Sequence, residues 1–330
     1  MLSLIRIRTR ESYRQDPCAD PIDRSLRYAN LTTSIPSLIP GPWRIAMTQP
    51  TRATRRHFLK ATSLGAAATW GLGVSSRAAS EPEVRPSRAL RLALASYTLR
   101  RFDRAATLAM TQRVGLSAIC LKDFHLPLHA TEDAIAVAVA EVHEAGLTLY
   151  AAGVISMRSA EQVDQAFAYA RAAGMTHIVA APNDQMLARI EERVQEYDIR
   201  ICIHNHGPGD AFFPVPSVAM DKIQQLDPRI GLCHDIGHTV RYGHDPIVET
   251  RLGAERLYDV HFKDVTEASP RGRSAPCGRG VIDLPQLIRT LCDIDYQGYL
   301  AFEYEEEPDD PLPGLAESVG YVHGVLDSLA

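Results

Sequence analysis

Long apolar runs are missing from this chain. No stretch reaches the 18 or so residues that cross a bilayer, which excludes a multipass membrane protein. Cysteine is sparse: the six, at positions 18, 120, 202, 233, 277 and 292, form no CxxC pair and are too few to staple 330 residues, so a disulfide framework is set aside. Cys120, Cys202 and Cys233 each sit inside an apolar run, where buried core thiols belong. Positive charge is not in excess either. Lys and Arg number 35 against 40 Asp and Glu, a net charge of -5, and no dense basic cluster lies in the part expected to fold, which argues against nucleic acid as the main partner. With 45% hydrophobic and 23% charged residues the composition is that of an ordinary globular chain, so disorder and collagen are excluded. Its length suits one large domain with an appendage.

The appendage is legible at the N-terminal side. Arg55 and Arg56 precede Phe58, Leu59 and Lys60, an uncharged stretch follows over 61–74, and small residues close the segment at Ala78 and Ala79. This resembles a twin-arginine export signal. An amphipathic starter helix would need charge on one face, and 61–74 carries none. Such leaders are shorter than the 54 residues ahead of Arg55, and Met47 stands close before the arginine pair. The expected division is therefore a non-native or disordered extension over 1–46, a signal peptide over 47–80 and a catalytic domain over 81–330. The resemblance implies the twin-arginine export machinery as a partner and a periplasmic or otherwise exported location. The 251 residues after Ala79 are about what one (β/α)8 barrel needs.

From residue 88 onward, short runs rich in Ile, Val, Leu and Ala alternate with segments of 10 to 15 residues that carry apolar residues at helical spacing. Strands are predicted over 90–96, 118–122, 148–152, 177–181, 200–204, 230–233, 257–261 and 299–303. Helices are predicted over 131–145, 159–173, 183–197, 216–226, 246–252, 284–292 and 314–329. In the second of these Ser159 and Gln162 form a capping box, and Val163, Ala166, Phe167 and Ala170 line one face. Crossovers of this length demand parallel strands. An open doubly wound sheet would carry a Gly-rich phosphate turn after its first strand, and here Ser96, Tyr97 and Thr98 stand there instead. The fold class is thus α/β, a single (β/α)8 TIM barrel.

Barrel chemistry sits where strands end. The second strand ends in Lys122, Asp123, Phe124 and His125, the fifth in His204, Asn205 and His206, and the sixth is followed by His234, Asp235 and His238. The seventh brings His261, Lys263 and Asp264, and the eighth Glu303 and Glu305. His, Asp and Glu from adjacent strand ends describe a divalent metal site, and mixed imidazole and carboxylate donors suit manganese, zinc, cobalt, iron or magnesium better than calcium. Alternation puts His204 and His206 on one side of their strand.

On these residues the chain resembles the sugar phosphate isomerase/epimerase family of xylose isomerase-like TIM barrels. The motifs HDIGH, VHFKD and FEYE match its metal positions at Asp235, His261 and Glu303. Where that family places a fourth ligand, a Glu after the fourth strand, this chain has Ala181, Pro182 and Asn183. His206 is the expected substitute ligand and His204 its competitor, with a substrate contact as its other role. The resemblance implies a metal-dependent isomerase or epimerase of an unphosphorylated sugar or keto-sugar, working through an enediolate. A C–O lyase or hydratase on 3-keto-glycosides is the nearest rival, favoured by the missing Glu, and a non-catalytic periplasmic sugar-binding protein is a third reading. Glu303 is the expected base, with Glu305, Lys263 and Lys122 as alternatives. His238, His125, Arg279 and Tyr97 are the candidate carbohydrate contacts. A homo-oligomer is compatible with all three readings.

Overall fold

The computed structural model describes residues 90–329. The expected leader with Arg55 and Arg56, and the divisions at residues 46 and 80, lie outside the described residues. Eight parallel strands close into a barrel. In chain order they are β1 (Arg91–Ala95), β2 (Ala118–Leu121), β3 (Thr148–Met157), β4 (His177–Pro182), β5 (Arg200–His204), β6 (Ile230–Asp235), β7 (Leu257–Phe262) and, after a short antiparallel pair β8 (Asp264–Val265) and β9 (Ser274–Ala275), β10 (Tyr299–Phe302). β1 pairs with both β2 and β10, which completes the ring.

The helices are α1 (Arg104–Arg113), α2 (Glu132–Glu144), α3 (Ala160–Ala172), α4 (Leu187–Tyr197), α5 (Pro216–Ile223), α6 (Ile236–Arg241), α7 (Pro246–Leu252), α8 (Leu284–Asp293) and α9 (Leu312–Leu329). Capping side chains set several starts: Asp103, Thr131, Ser159 and Asp283 each accept a backbone N–H two or three positions into the helix. The predicted capping box closes one residue early, because Gln162 Oε1 accepts from the N–H of Arg158 at 2.7 Å. α3 buries Val163, Ala166, Phe167 and Ala170 as its spacing requires, and Phe167 alone contributes about 2–3 kcal/mol by leaving water.

Four elements depart from expectation. α1 shows no amphipathic stripe, burying only Thr107, Leu108 and Thr111, so periodicity does not announce it. β3 runs to Met157 because Ile155, Ser156 and Met157 pair with Ala180, Ala181 and Pro182, whereas Gly153 inside the run reads as a break. β6 runs on to Asp235, and α6 starts at once from there.

Two cores result. Leu, Ile, Val and Phe side chains fill the layer between strands and helices. The barrel interior is narrower and holds small residues, among them Ala93, Ala95, Ala118, Cys120, Ala151, Cys202, Cys233 and Ala301, around the ring of Tyr150. The three cysteines are thus free buried thiols, as their apolar runs predict. Toward the start of the strands Tyr150 stacks on Tyr299 at 3.8 Å between centroids and donates to the Asp259 carboxylate at 3.0 Å.

Candidate active site

The C-terminal ends of β5, β6, β7 and β10 bring four side chains together. His204 closes β5, Asp235 closes β6, His261 lies in β7, and Glu303 follows β10, where its N–H donates to Phe262 O at 3.1 Å. His204 Nε2, Asp235 Oδ2, His261 Nδ1 and Glu303 Oε2 converge. The first lies 3.3 Å from Asp235 Oδ2 and 3.1 Å from His261 Nδ1, and the last two are 3.2 Å apart. One donor atom from each of the four residues falls within 4.8 Å of all the others. All four are buried.

The backbone explains the aim. Asp235 caps α6, so its Oδ1 accepts from the N–H of His238 at 2.7 Å and its Oδ2 is left to face the mouth. Asn205 locks that residue from β5: its Oδ1 accepts from Asp235 N at 2.9 Å, and its Nδ2 donates to Asp235 O and Thr239 Oγ1, both at 3.1 Å. Lys263 enters beside the set, its Nζ 2.9 Å from Asp235 Oδ2 and 2.7 Å from Glu303 Oε2, with a further bond to Glu305. Gly237 in α6 makes room for its stem, since a Cβ there would lie 2.7 Å from Lys263 Cγ and Cδ.

The charges are strongly coupled. Burial alone would raise the Asp235 and Glu303 carboxyls, but His238, Lys263 and His204 around the first, and His261 and Lys263 around the second, hold both well below the usual range. Burial pulls Lys263 down, yet Asp235, Glu303 and Glu305 outweigh it and keep the ammonium well above its ordinary value. Burial also lowers His261, and Glu303 reverses the sign. His204 has no such neighbour dominating it: burial, then His206, keep it well below 6.5 and neutral.

With His261 neutral, as a metal ligand must be, three carboxylates against one ammonium leave two negative charges in excess, which one divalent cation would neutralise. His204 Nδ1 and His261 Nε2 are buried without a hydrogen bond, and Asp235 Oδ2 faces the Lys263 ammonium and His204. Bonds of about 2.0–2.2 Å to nitrogen and oxygen separate neighbouring ligand atoms by roughly 3–4.4 Å, and the measured spacing agrees. The residues present therefore fit a divalent ion held by His204, Asp235, His261 and Glu303.

The other expected residues fall in different places. His206 lies beyond the end of β5, where Gly207 at φ +65 turns the chain; its ring sits 4.4 Å from that of His204, and its Nδ1 is 3.6 Å from Asp210 Oδ2. It lines the mouth beside the four converging donors, and His204 holds the position expected of it. His238 stands 3.9 Å from Asp235 Oδ2 and receives Arg241 at 3.3 Å. Tyr97 and the exposed Phe124 form an aromatic wall with centroids 6.2 Å apart. Lys122 donates to Val154 O at 2.8 Å and does not join the carboxylates. His125 is a correction: it is 2% exposed, Nδ1 meets Ser96 Oγ at 2.8 Å and Nε2 meets Thr107 Oγ1 at 3.0 Å, so both nitrogens serve packing behind Phe124. Arg279 is exposed, and Glu317 on α9 engages its guanidinium. Sequence reasoning named Asn205 and Asp264 at strand ends but gave neither its role: Asn205 locks Asp235, and the buried Asp264 carboxylate gathers the loop after β9.

Comparison with known proteins follows the same lines. A family model described as a xylose isomerase-like TIM barrel matches residues 153–323. The rhizopine catabolism protein MocC of Rhizobium meliloti is 25% identical over 151 residues, 41% of this chain and 46% of that protein. An inosose dehydratase of Clostridium tetani is 29% identical over 140 residues, 37% of this chain and 46% of that one. The chain thus matches about half the length of these curated relatives. The solved structure of an L-ribulose 3-epimerase superposes with a TM-score of 0.61 over 73% of this chain and 95% of that chain at 16% identity, a likeness of fold.

Proposed function

Because the chain belongs to the xylose isomerase-like TIM barrel family, we propose that it is a metal-dependent enzyme that removes a proton beside the carbonyl of an unphosphorylated keto-sugar or cyclic keto-polyol and expels a β-substituent. One observation argues against a two-base epimerisation and is met by elimination. The base side of the mouth holds Glu303, Lys263 and Glu305 together, whereas β4 ends in Ala181 and Pro182 with Asn183 next, and the first acid after it, Asp184, is held by Lys222. Inversion at carbon needs a proton donor on each face. Elimination needs one base and a donor for the leaving oxygen.

A divalent ion held by His204, Asp235, His261 and Glu303 would supply positive charge to the oxygen that becomes anionic as the proton leaves. Glu303 is ionised and accepts the proton. Lys263 stays an ammonium and steadies Glu303 and Glu305 in place. His206, packed against the ring of His204 and backed by Asp210, donates to the departing oxygen. Tyr97 and Phe124 give the sugar ring an apolar wall. Inosose dehydratase among the relatives, by its name, removes water from a keto-cyclitol, which supports this reading.

Isomerisation is the second reading, favoured by the same observation, since a single carboxylate can carry a proton to the neighbouring carbon on one face. Incubation of the metal-loaded protein with a 3-keto-glycoside, an inosose and a free ketose in deuterium oxide separates the outcomes. The proposal expects deuterium uptake at the α-carbon together with release of water or aglycone. Uptake with a rearranged ketose and no released group would establish isomerisation instead. Binding without exchange for every sugar would leave a sugar-binding protein. The leader motif supports export by the twin-arginine route as a further part of this proposal.

A further inference from the structure

Cys233 and Asp235 lie two residues apart on β6, so both face into the barrel, with the thiol one layer deeper. One donor atom from each of Cys233, His204 and His261 falls within 4.8 Å of the other two. Small and apolar residues surround the thiol at this depth, Ala93, Ala151, Val179 and Ala301 among them, together with the buried Asp259 carboxylate, which pairs in register with Cys233 and accepts from Tyr150. Each of the two imidazoles turns one nitrogen toward the carboxylates, His204 Nε2 and His261 Nδ1. The other nitrogens, His204 Nδ1 and His261 Nε2, are buried without a hydrogen-bond partner, on rings only 2% and 1% exposed. Buried polar atoms without a partner are costly unless something occupies them.

We propose that Cys233, His204 and His261 form a second metal-binding set, one thiolate with two imidazoles, which takes a thiophilic ion of the Zn2+ and Cd2+ class. Thiolate selects soft metals, whereas the carboxylate set above suits hard and borderline ones. On binding, the S–H bond breaks, its proton passes to solvent and a sulfur–metal bond forms. Both sets draw on the same two histidines. A chain therefore holds one ion or the other, and a soft metal would silence the upper site by displacement. That last clause rests on the metal reading under Proposed function; the existence of the deeper set does not.

The test titrates Cd2+ into the chelator-treated full chain and follows the near-ultraviolet charge-transfer absorption of a thiolate–cadmium bond. The absorption is expected to saturate at one ion per chain in the wild type, in Asp235→Asn and in Cys120→Ser, a neighbouring buried thiol, and to fall at least tenfold in Cys233→Ser and Cys233→Ala, with folding checked by circular dichroism. Equal absorption without Cys233, equal loss in Cys120→Ser, or none in the wild type would overturn the proposal. In a second arm Mn2+ is loaded first and its release followed by electron paramagnetic resonance. Cd2+ is expected to release Mn2+ from the wild type and to leave it bound in Cys233→Ser. Mn2+ held throughout the full cadmium signal would overturn the exclusivity. A Cys233-dependent cadmium signal in a protein that binds no Mn2+ would support the deeper set and refute only the hard-metal reading.

Discussion

Replacing Asp264 by Asn preserves shape and should still cost about 3 kcal/mol, because the carboxylate is fully buried and acts as an acceptor only. Its Oδ2 accepts from the N–H groups of Gly278 at 3.0 Å and Gly280 at 2.8 Å, and its Oδ1 from those of Val265 at 2.9 Å and Ile282 at 3.1 Å. An asparagine keeps one acceptor oxygen and turns an NH2 toward the other two donors, whichever way the amide is flipped. A buried N–H stripped of its partner costs about 1–3 kcal/mol; Val265 and Ile282 are buried and the glycines only partly so, which puts two lost bonds at about 3, in the lower part of that range. Urea unfolding of a chain this size has a slope near 3 kcal/mol/M, so the midpoint should fall by about 1 M. Should the loss stay local, amide exchange at 278, 280 and 282 would accelerate by about two orders of magnitude with the global midpoint held. A midpoint within about 0.2 M of wild type, together with undiminished protection of those amides, would refute the view that Asp264 organises this loop.

Other outcomes follow from single positions. His177 is buried beside Arg200 and Arg91, and burial first, then those cations, push it down from 6.5 to about 4. The unfolded chain therefore takes up a proton that the folded one refuses, so its contribution of about 3 kcal/mol is complete above pH 6.5 and is lost as the pH falls toward 4; in His177→Gln the decline of melting temperature over that window should flatten, and an unchanged decline would contradict the assignment. Gly237→Ala should leave the melting temperature within a few degrees while lowering kcat about tenfold or more, because the new methyl meets the Lys263 stem at 2.7 Å; wild-type kcat would show that Lys263 need not sit where it does. Arg55→Lys with Arg56→Lys should abolish export of the full chain in a fractionation assay, and continued export would remove the twin-arginine reading.

The barrel is legible because burial on both faces makes parallel strands read as short apolar runs, and β5 is found with its bounds unchanged. The positions Asp235, His261 and Glu303 are legible for the same reason, since a charged residue closing an apolar run has little to do but serve the mouth. The choice between His204 and His206 is different. Alternation assigns both to one face, but it does not say that pairing stops at His204 and that the chain then turns at Gly207. α6 stays hidden in HDIGH because six residues hold too little periodicity, although it is the capping of this helix that aims Asp235 Oδ2. The partners of His125 and Arg279 are illegible for a common reason. What occupies a side chain, Ser96 and Thr107 in one case and Glu317 in the other, comes from remote segments that local sequence does not display.

The most direct test of the account is metal content by plasma mass spectrometry on the full chain, wild type beside His204→Ala, His206→Ala and Asp235→Ala, after loading with Mn2+ and removal of free ion. The four-donor site predicts close to one ion per chain in the wild type and in His206→Ala, and at least a tenfold loss in His204→Ala and Asp235→Ala. Metal retained in His204→Ala and lost in His206→Ala would contradict the ligand set, and a wild type that takes up none would contradict the site itself.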